Sequence, residues 1–115
     1  MDDWPDWVHQ FPAIDTPFPG TQGRLLASEH GQVVLWRFPA GATVPCHQHG
    51  PQIGVVITGS VELNLGEETR TVTAGESFSL ADQQPHGATV APGTLVIEVF
   101  ADPDRHTAVT PQAIR

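Results

Sequence analysis

Short apolar runs, each interrupted after a few residues by turn-forming residues, restrict the fold of this chain more than any other feature. Glycine and proline number 11 each, and breaks such as "PAGA", "GEE" and "APG" separate the runs. Strand-like alternation without a helical period of useful length predicts an all-β sandwich or small barrel. The predicted strands cover residues 24–28, 33–38, 43–49, 53–58, 60–65, 69–73, 77–80, 87–90 and 94–100.

The two ends of the chain differ from this middle part. Residues 1–22 are rich in proline, aspartate and large aromatics, and predict an irregular N-terminal arm with one short helical turn begun by Asp3. Residues 23–101 would form the barrel, and residues 102–115 a polar surface tail. The arm holds more apolar surface than a small barrel should leave in water, which predicts a homodimer. The apolar arm residues are Trp4, Trp7, Phe11, Ile14 and Phe18.

Composition excludes several kinds of chemistry. The formal net charge is −8 and the pI is about 4.9, so neither nucleic acid nor an anionic membrane is an expected partner. The chain has no lysine and no tyrosine, which excludes Schiff-base chemistry and a tyrosine acid or base. Cys46 is the single cysteine, so no intrachain disulfide can form. The acidic start lacks the regions of a signal peptide, and no run is long enough to span a bilayer, so we expect a cytoplasmic protein.

Two histidines lie two positions apart in the stretch "GATVPCHQHGPQIGVVITG". Residues two apart in a strand face the same side, roughly 6.6 Å apart, so His47 and His49 could converge on one metal ion. The alternative is that both lie on the solvent face of an exposed strand, because short motifs recur by chance. Cys46 lies between Pro45 and His47, and alternation points it away from the histidine face. The remaining histidines, at positions 9, 30 and 106, are expected to be solvated.

Further motif residues give the histidine pair a context. Gly41 precedes it, Gln52 and Gly59 follow it, and the stretch 75–86 ends in a third histidine, His86. This arrangement resembles the two motifs of small single-domain cupins. The resemblance implies a conical jelly-roll β-barrel, RmlC-like, around one divalent metal ion, with the ligands His47, His49, Gln52 and His86.

The match with the cupin motifs also has departures. Gln52 stands where most cupins have glutamate, and its gap to His49 is one residue shorter than usual. Ala81, Gln83 and Val90 replace the family's proline, glycine and asparagine. With glutamine at this position, the motif resembles that of a subset of small cupins that includes pectin-degradation proteins. Three imidazoles and an amide do not select among Fe, Mn, Ni, Co, Cu and Zn.

The last predicted strand contains an acid among apolar residues. Alternation places Val96, Glu98 and Phe100 on one face, and in several small cupins an acid and an aromatic of this strand enter the pocket. Glu98 would then move a proton while Val96 and Phe100 line the pocket. The alternative is that Glu98 marks a solvent-facing position, since both faces of the strand are apolar. Glu62 and Asn64 fit the wet face of their strand better.

Two function classes follow from the site that the resemblance implies. The first is an enzyme acting on a small oxygenated molecule, either an isomerase or cyclase that transfers a proton or a metal-dependent dioxygenase. The second is a binding module that holds a small ligand without chemistry. The expected substrate is a mostly neutral polyol or carbonyl compound, because the net charge disfavours steering of anions and the barrel region holds only Arg24, Arg37 and Arg70. The alternative is an anionic substrate such as a uronate, since the metal could hold its carboxylate directly.

Overall fold

Nine antiparallel strands make up most of the structure, a computed structural model that describes residues 1–109. Each predicted strand is present, and its bounds differ from the predicted ones by one or two residues at seven of the eighteen ends. The strands are β1 (Gln22–Ser28), β2 (Gly31–Phe38), β3 (Ala42–His47), β4 (Gln52–Thr58), β5 (Ser60–Leu65), β6 (Glu68–Thr73), β7 (Ser77–Leu80), β8 (His86–Val90) and β9 (Thr94–Phe100). One 3₁₀ helix, Asp6–Gln10, precedes them.

The strands form two sheets that enclose one core, as the jelly-roll prediction requires. One sheet has the order β1-β2-β9-β4-β7 and the other the order β3-β8-β5-β6. Burial alternates along β2, so every second side chain faces inward. The core is apolar and is drawn from both sheets. Its members include Val34, Trp36, Phe38, Val56, Val61, Leu63, Val72, Phe78 and Val96.

The tight turn between β4 and β5 depends on Gly59. Its φ of +83° lies in the left-handed region, which residues with a Cβ rarely adopt. A Cβ at this position would also lie 2.8 Å from the Cα of Thr94 on β9. Gly59 therefore lets the chain pass directly from β4 in the first sheet to β5 in the second sheet of the same barrel.

The N-terminal arm packs against its own barrel. Trp4 and Val8 are buried with Leu95 on the outer face of the five-stranded sheet. The helical turn begins at Asp6, three residues later than expected, and Asp3 instead accepts a hydrogen bond from the backbone N–H of Trp4. Because part of the apolar surface of the arm is already covered within one chain, the arm no longer supports the prediction of a homodimer.

Two short segments, one in the arm and one after β9, extend the barrel beside β1. Residue Ala13 of the arm bridges Arg24 on β1, and Ile14 bridges Ala108 near the other end of the chain. We call residues 102–109 the closing segment, because this part of the predicted surface tail packs along one side of the barrel instead. The rest of the predicted tail, residues 110–115, lies outside the described residues. Within residues 1–109, no helix is long and apolar enough to cross a membrane, and the cytoplasmic location stays a prediction.

Candidate metal centre and pocket

Three histidines converge at one end of the barrel. His47 ends β3 and pairs in register with His86, the first residue of β8, while His49 lies in the loop that leads to β4. One ring nitrogen from each histidine lies within 4.8 Å of the others. The structure therefore brings together the three histidines that the two sequence motifs contribute.

Backbone hydrogen bonds fix which nitrogen of each imidazole faces the centre. Nδ1 of His47 lies 2.8 Å from the carbonyl oxygen of Pro45, Nδ1 of His49 2.8 Å from that of Gly50, and Nδ1 of His86 2.8 Å from that of Gln84. A carbonyl can only accept, so each Nδ1 carries the proton and each Nε2 keeps a free lone pair. This carbonyl-held tautomer is the usual arrangement of metal-binding histidines.

The electrostatics of the histidines also suit a cation. Burial lowers the pKa of His49 and of His86, opposed by the backbone hydrogen bonds and reinforced by neighbouring positive groups. Neutral imidazole is the form that binds a metal. Nε2 of His49 is buried without a hydrogen-bond partner among the described residues, an arrangement that a bound cation would satisfy. The residues present therefore fit a divalent metal ion.

Gln52 begins β4 beside this cluster and is 6% exposed. Its Nε2 donates a hydrogen bond to Oε2 of Glu98, which leaves Oε1 as its only free polar atom. That oxygen is buried and has no partner within residues 1–109. An amide oxygen is a suitable ligand for a divalent cation, so the atom is available for coordination. Its role as the fourth ligand stays a prediction.

Glu98 faces the interior of the barrel, which decides between the two alternatives for this residue. Nε1 of Trp36 donates to its Oε1 at 2.7 Å, and Gln52 donates to its other oxygen. Burial raises the pKa of Glu98 to about 7, although the Trp36 hydrogen bond, the positive charge of Arg105 and the Gln52 hydrogen bond each lower it. The carboxyl is therefore poised to gain or lose a proton near neutral pH.

A cavity of about 630 Å³ opens beside the histidines and Glu98. Val96 and Phe100 line it, as predicted for their face of β9, and the Phe100 ring contacts the ring of His49 edge-on at 5.7 Å. Glu62 and Asn64 are exposed, in agreement with the prediction for β5. Cys46 is also exposed. The volume suits a small molecule.

Arg105 and His106 of the closing segment also line the cavity, and the sequence reasoning missed both. The expectation that His106 is solvated is wrong: its ring packs 5.1 Å from those of Trp36 and Phe100, and burial lowers its pKa to about 4. The guanidinium of Arg105 lies 5.8 Å from the Phe100 ring centre. No strand alternation extends into "DPDRH", so no local signal indicates that these side chains point inward.

The other two histidines differ in exposure. His30 is solvent-exposed, as expected, beside Glu29. His9 is partly buried in the arm, where its Nε2 lies 3.4 Å from a carboxylate oxygen of Asp3. Neither lines the cavity. Among the histidines of residues 1–109, the group that could hold a metal ion consists of His47, His49 and His86.

Comparison with known proteins agrees with this fold and site. The Cupin_2 family profile, described as a cupin domain, matches residues 34–101. The chain belongs to the Cupin_2 family. This cupin is similar to KdgF from Halomonas sp., with 32% identity and a TM-score of 0.69 over 80% of this chain and 88% of that one. It is also similar to an RmlC-like cupin from Shewanella frigidimarina, with 26% identity and a TM-score of 0.74 over 91% and 96% of the two chains.

A curated relative extends the comparison to a protein with a named activity. The chain is 41% identical over 59 residues to the H2HPP isomerase of Bacillus subtilis. The match covers 50% of this cupin but only 25% of the isomerase. The cupin therefore spans about a quarter of the length of that relative.

Proposed function

We propose that this cupin is a metal-dependent enzyme that transfers a proton on a small oxygenated substrate, as an isomerase or cyclase does. One observation carries the proposal: the partly buried carboxyl of Glu98 lines the same cavity as the three-histidine cluster, and burial raises its pKa to about 7. A general base with such a pKa is well matched to neutral pH. The name of the isomerase relative supports the same class of reaction.

The chain's own residues have separable roles in this proposal. His47, His49, His86 and Gln52 would hold one divalent ion, which would supply Lewis acidity at a substrate oxygen. Glu98 takes up the proton from the neighbouring carbon and returns it to another position. Trp36 keeps the carboxyl oriented through its 2.7 Å hydrogen bond. Val96 and Phe100 are buried beside it and exclude water from the reaction.

The lining of the cavity supports a substrate with an acidic group, the alternative that the sequence leaves open. Arg105 lines the cavity and forms no ion pair with any residue in 1–109, and its Nε is buried without a partner. A guanidinium recognises carboxylates through paired hydrogen bonds. A small carbonyl compound bearing a carboxylate would place its carbonyl near the histidines and its carboxylate at Arg105.

Exchange of substrate hydrogen tests the proposal. Metal-loaded protein is incubated in D₂O with pyruvate, other 2-oxo acids and uronates, and deuterium incorporation next to the carbonyl is followed by NMR. Wild type should catalyse exchange with at least one of them, and Glu98→Gln should lower the rate by about 100-fold or more. Glu62→Gln, on the exposed face of β5, is the matched control and should behave as wild type. Equal rates in wild type and Glu98→Gln would refute the role of Glu98.

We also retain a homodimer as a proposal, on a different surface from the arm. Ile53 and Val99 face each other across β4 and β9 on the outer face of the sheet, and are 54% and 38% exposed. Val33 continues this row on β2, and Leu26 on β1. An exposed apolar stripe of this kind is typical of an interface. Sedimentation should show a dimer that Ile53→Asp weakens; a monomer for wild type at micromolar concentration would contradict the proposal.

A further inference from the structure

Gln32 is a buried polar residue that the mechanism above does not use. It lies on β2, is 3% exposed and pairs in register with Phe100 on β9. An apolar side chain would pack at least as well in this position, whereas a buried amide is costly unless its hydrogen bonds are made. The contacts of Gln32 should therefore show why an amide stands here.

All of its side-chain hydrogen bonds go to the closing segment. Nε2 of Gln32 donates to the carbonyl oxygens of Pro103 and His106, both at 2.9 Å, and Oε1 accepts from the backbone N–H of His106 at 2.8 Å. Both amide protons and the amide oxygen are thus engaged. The three bonds hold the backbone on both sides of Arg105, the residue whose guanidinium enters the cavity.

The rest of the closing segment is tied at its two ends and not in its middle. At its start, Asp102 accepts from the backbone N–H of Gly50 at 2.9 Å, in the loop between His49 and β4. At its end, Thr107 accepts from Asp15 at 3.0 Å, and Val109 donates to Ala13 at 2.7 Å. Within the part described, Gln32 alone supplies side-chain hydrogen bonds to the backbone of residues 103–106.

We propose that Gln32 is a positioning residue of the pocket, which fixes the closing segment so that Arg105 and His106 face the substrate. The inference rests on the proposed function, since it assigns Gln32 to the recognition of the substrate's acidic group. Gln32 itself touches neither substrate nor metal; it acts through the two residues it holds. His106 shows the result in the structure, because its ring is held between Trp36 and Phe100 at the cavity wall.

A double-mutant cycle with a structural control tests this role. Gln32→Met keeps the length of the side chain and removes all three hydrogen bonds, while Arg105→Gln removes the proposed carboxylate contact. Gln32→Glu, which keeps the acceptor for His106 but loses both donors, serves if Gln32→Met does not fold. Thr94→Val is the control, because Thr94 is fully buried and hydrogen-bonds Ser60 far from the closing segment. The measurements are pyruvate and metal binding by calorimetry, and the NMR shifts of the His106 ring protons.

The expected results separate positioning from general stability. Gln32→Met should weaken pyruvate binding at least tenfold without changing metal affinity, and the double variant should bind no more weakly than Arg105→Gln. The His106 ring protons, shifted in wild type by the adjacent aromatic rings, should move toward their unstructured values. Thr94→Val should lower stability and leave pyruvate binding unchanged.

Three outcomes would overturn the inference. The inference fails if Gln32→Met binds pyruvate with wild-type affinity. It also fails if the losses of affinity from Gln32→Met and Arg105→Gln add in full in the double variant, or if Thr94→Val weakens pyruvate binding as much as Gln32→Met does. If wild type binds no pyruvate at millimolar concentration, the proposal of an acidic substrate fails by itself. The His106 shifts then decide the positioning role, because unchanged shifts in Gln32→Met would exclude it.

Discussion

Replacing Glu98 with glutamine should make the metal-free protein more stable at alkaline pH and leave it nearly unchanged at acid pH. Glutamine has the shape of a protonated glutamic acid, so the two proteins are closely matched where Glu98 carries its proton. They differ where the wild-type protein must hold a charged carboxylate inside the barrel. Glu98→Gln therefore isolates the free energy of ionising this one buried group.

The magnitude follows from the pKa. Burial raises the pKa of Glu98 from 4.5 to about 7 in the folded protein. The folded state thus binds the Glu98 proton more tightly than the unfolded chain, and this contribution to stability is complete below about pH 4.5 and lost as pH rises through about 7. Each pKa unit corresponds to about 1.4 kcal/mol, so the loss amounts to at most about 3 kcal/mol.

Urea unfolding of chelator-treated protein between pH 5 and pH 8 measures this difference. The stability of wild type by itself also varies with pH through its histidines. Burial lowers the pKa of His106 to about 4, so the contribution of His106 to stability is lost as pH falls from about 6.5 toward 4. Because both proteins contain the same histidines, subtraction removes their effect. The stability of Glu98→Gln relative to wild type should rise by up to about 3 kcal/mol from pH 5 to pH 8. A difference that is constant with pH would refute the raised pKa of Glu98.

Three further results follow from the structure. His86→Ala should leave protein purified without chelator largely free of metal by elemental analysis, and full metal content would contradict the predicted ligand set. Gly54→Ala should lower the free energy of unfolding in urea by about 1–3 kcal/mol, because the new Cβ would lie 2.6 Å from a ring carbon of Phe78; unchanged stability would mean that the ring moves freely. Arg105→Gln should raise the pKa of His106 in an NMR titration, since the guanidinium is the second cause that lowers it, and an unchanged pKa would place the charge elsewhere.

The strands and the shared face of His47 and His49 could be predicted because their signals are local, whereas His86 was assigned to the same site only through the resemblance to the cupin motifs. Alternation with period two identifies each strand, and turn residues such as Gly59 mark the breaks. His47 and His86 come together because His47 ends β3 and His86 begins β8, the antiparallel neighbour of β3. The spacing of the two motifs reflects this pairing. The sequence also indicated that Glu98 interrupts an apolar strand.

The orientation of Glu98 could not be predicted, and the arm explains why. Alternation distinguishes the two faces of a strand only if one of them meets water. On β9 the inner face meets the cavity, while the outer face carries Leu95, which Trp4 and Val8 of the arm bury completely. Both faces are therefore apolar in sequence. Contacts between residues almost a hundred positions apart leave no periodic trace within the strand itself.

The acidic composition of the chain gave no indication of a cation at the cavity for a related reason. A net charge of −8 describes the sum over the whole surface, and salt screens exposed charges beyond about 8–10 Å. A ligand inside the barrel meets the local groups, and Arg105 is among them because the closing segment folds back over the pocket. Long-range repulsion can slow the encounter with an anion, but in the proposed site the guanidinium and the histidine centre would determine whether it stays bound. The proposed preference for an acidic substrate therefore depends on the position of one residue, which is why the hydrogen bonds of Gln32 to its neighbours bear directly on the proposed function.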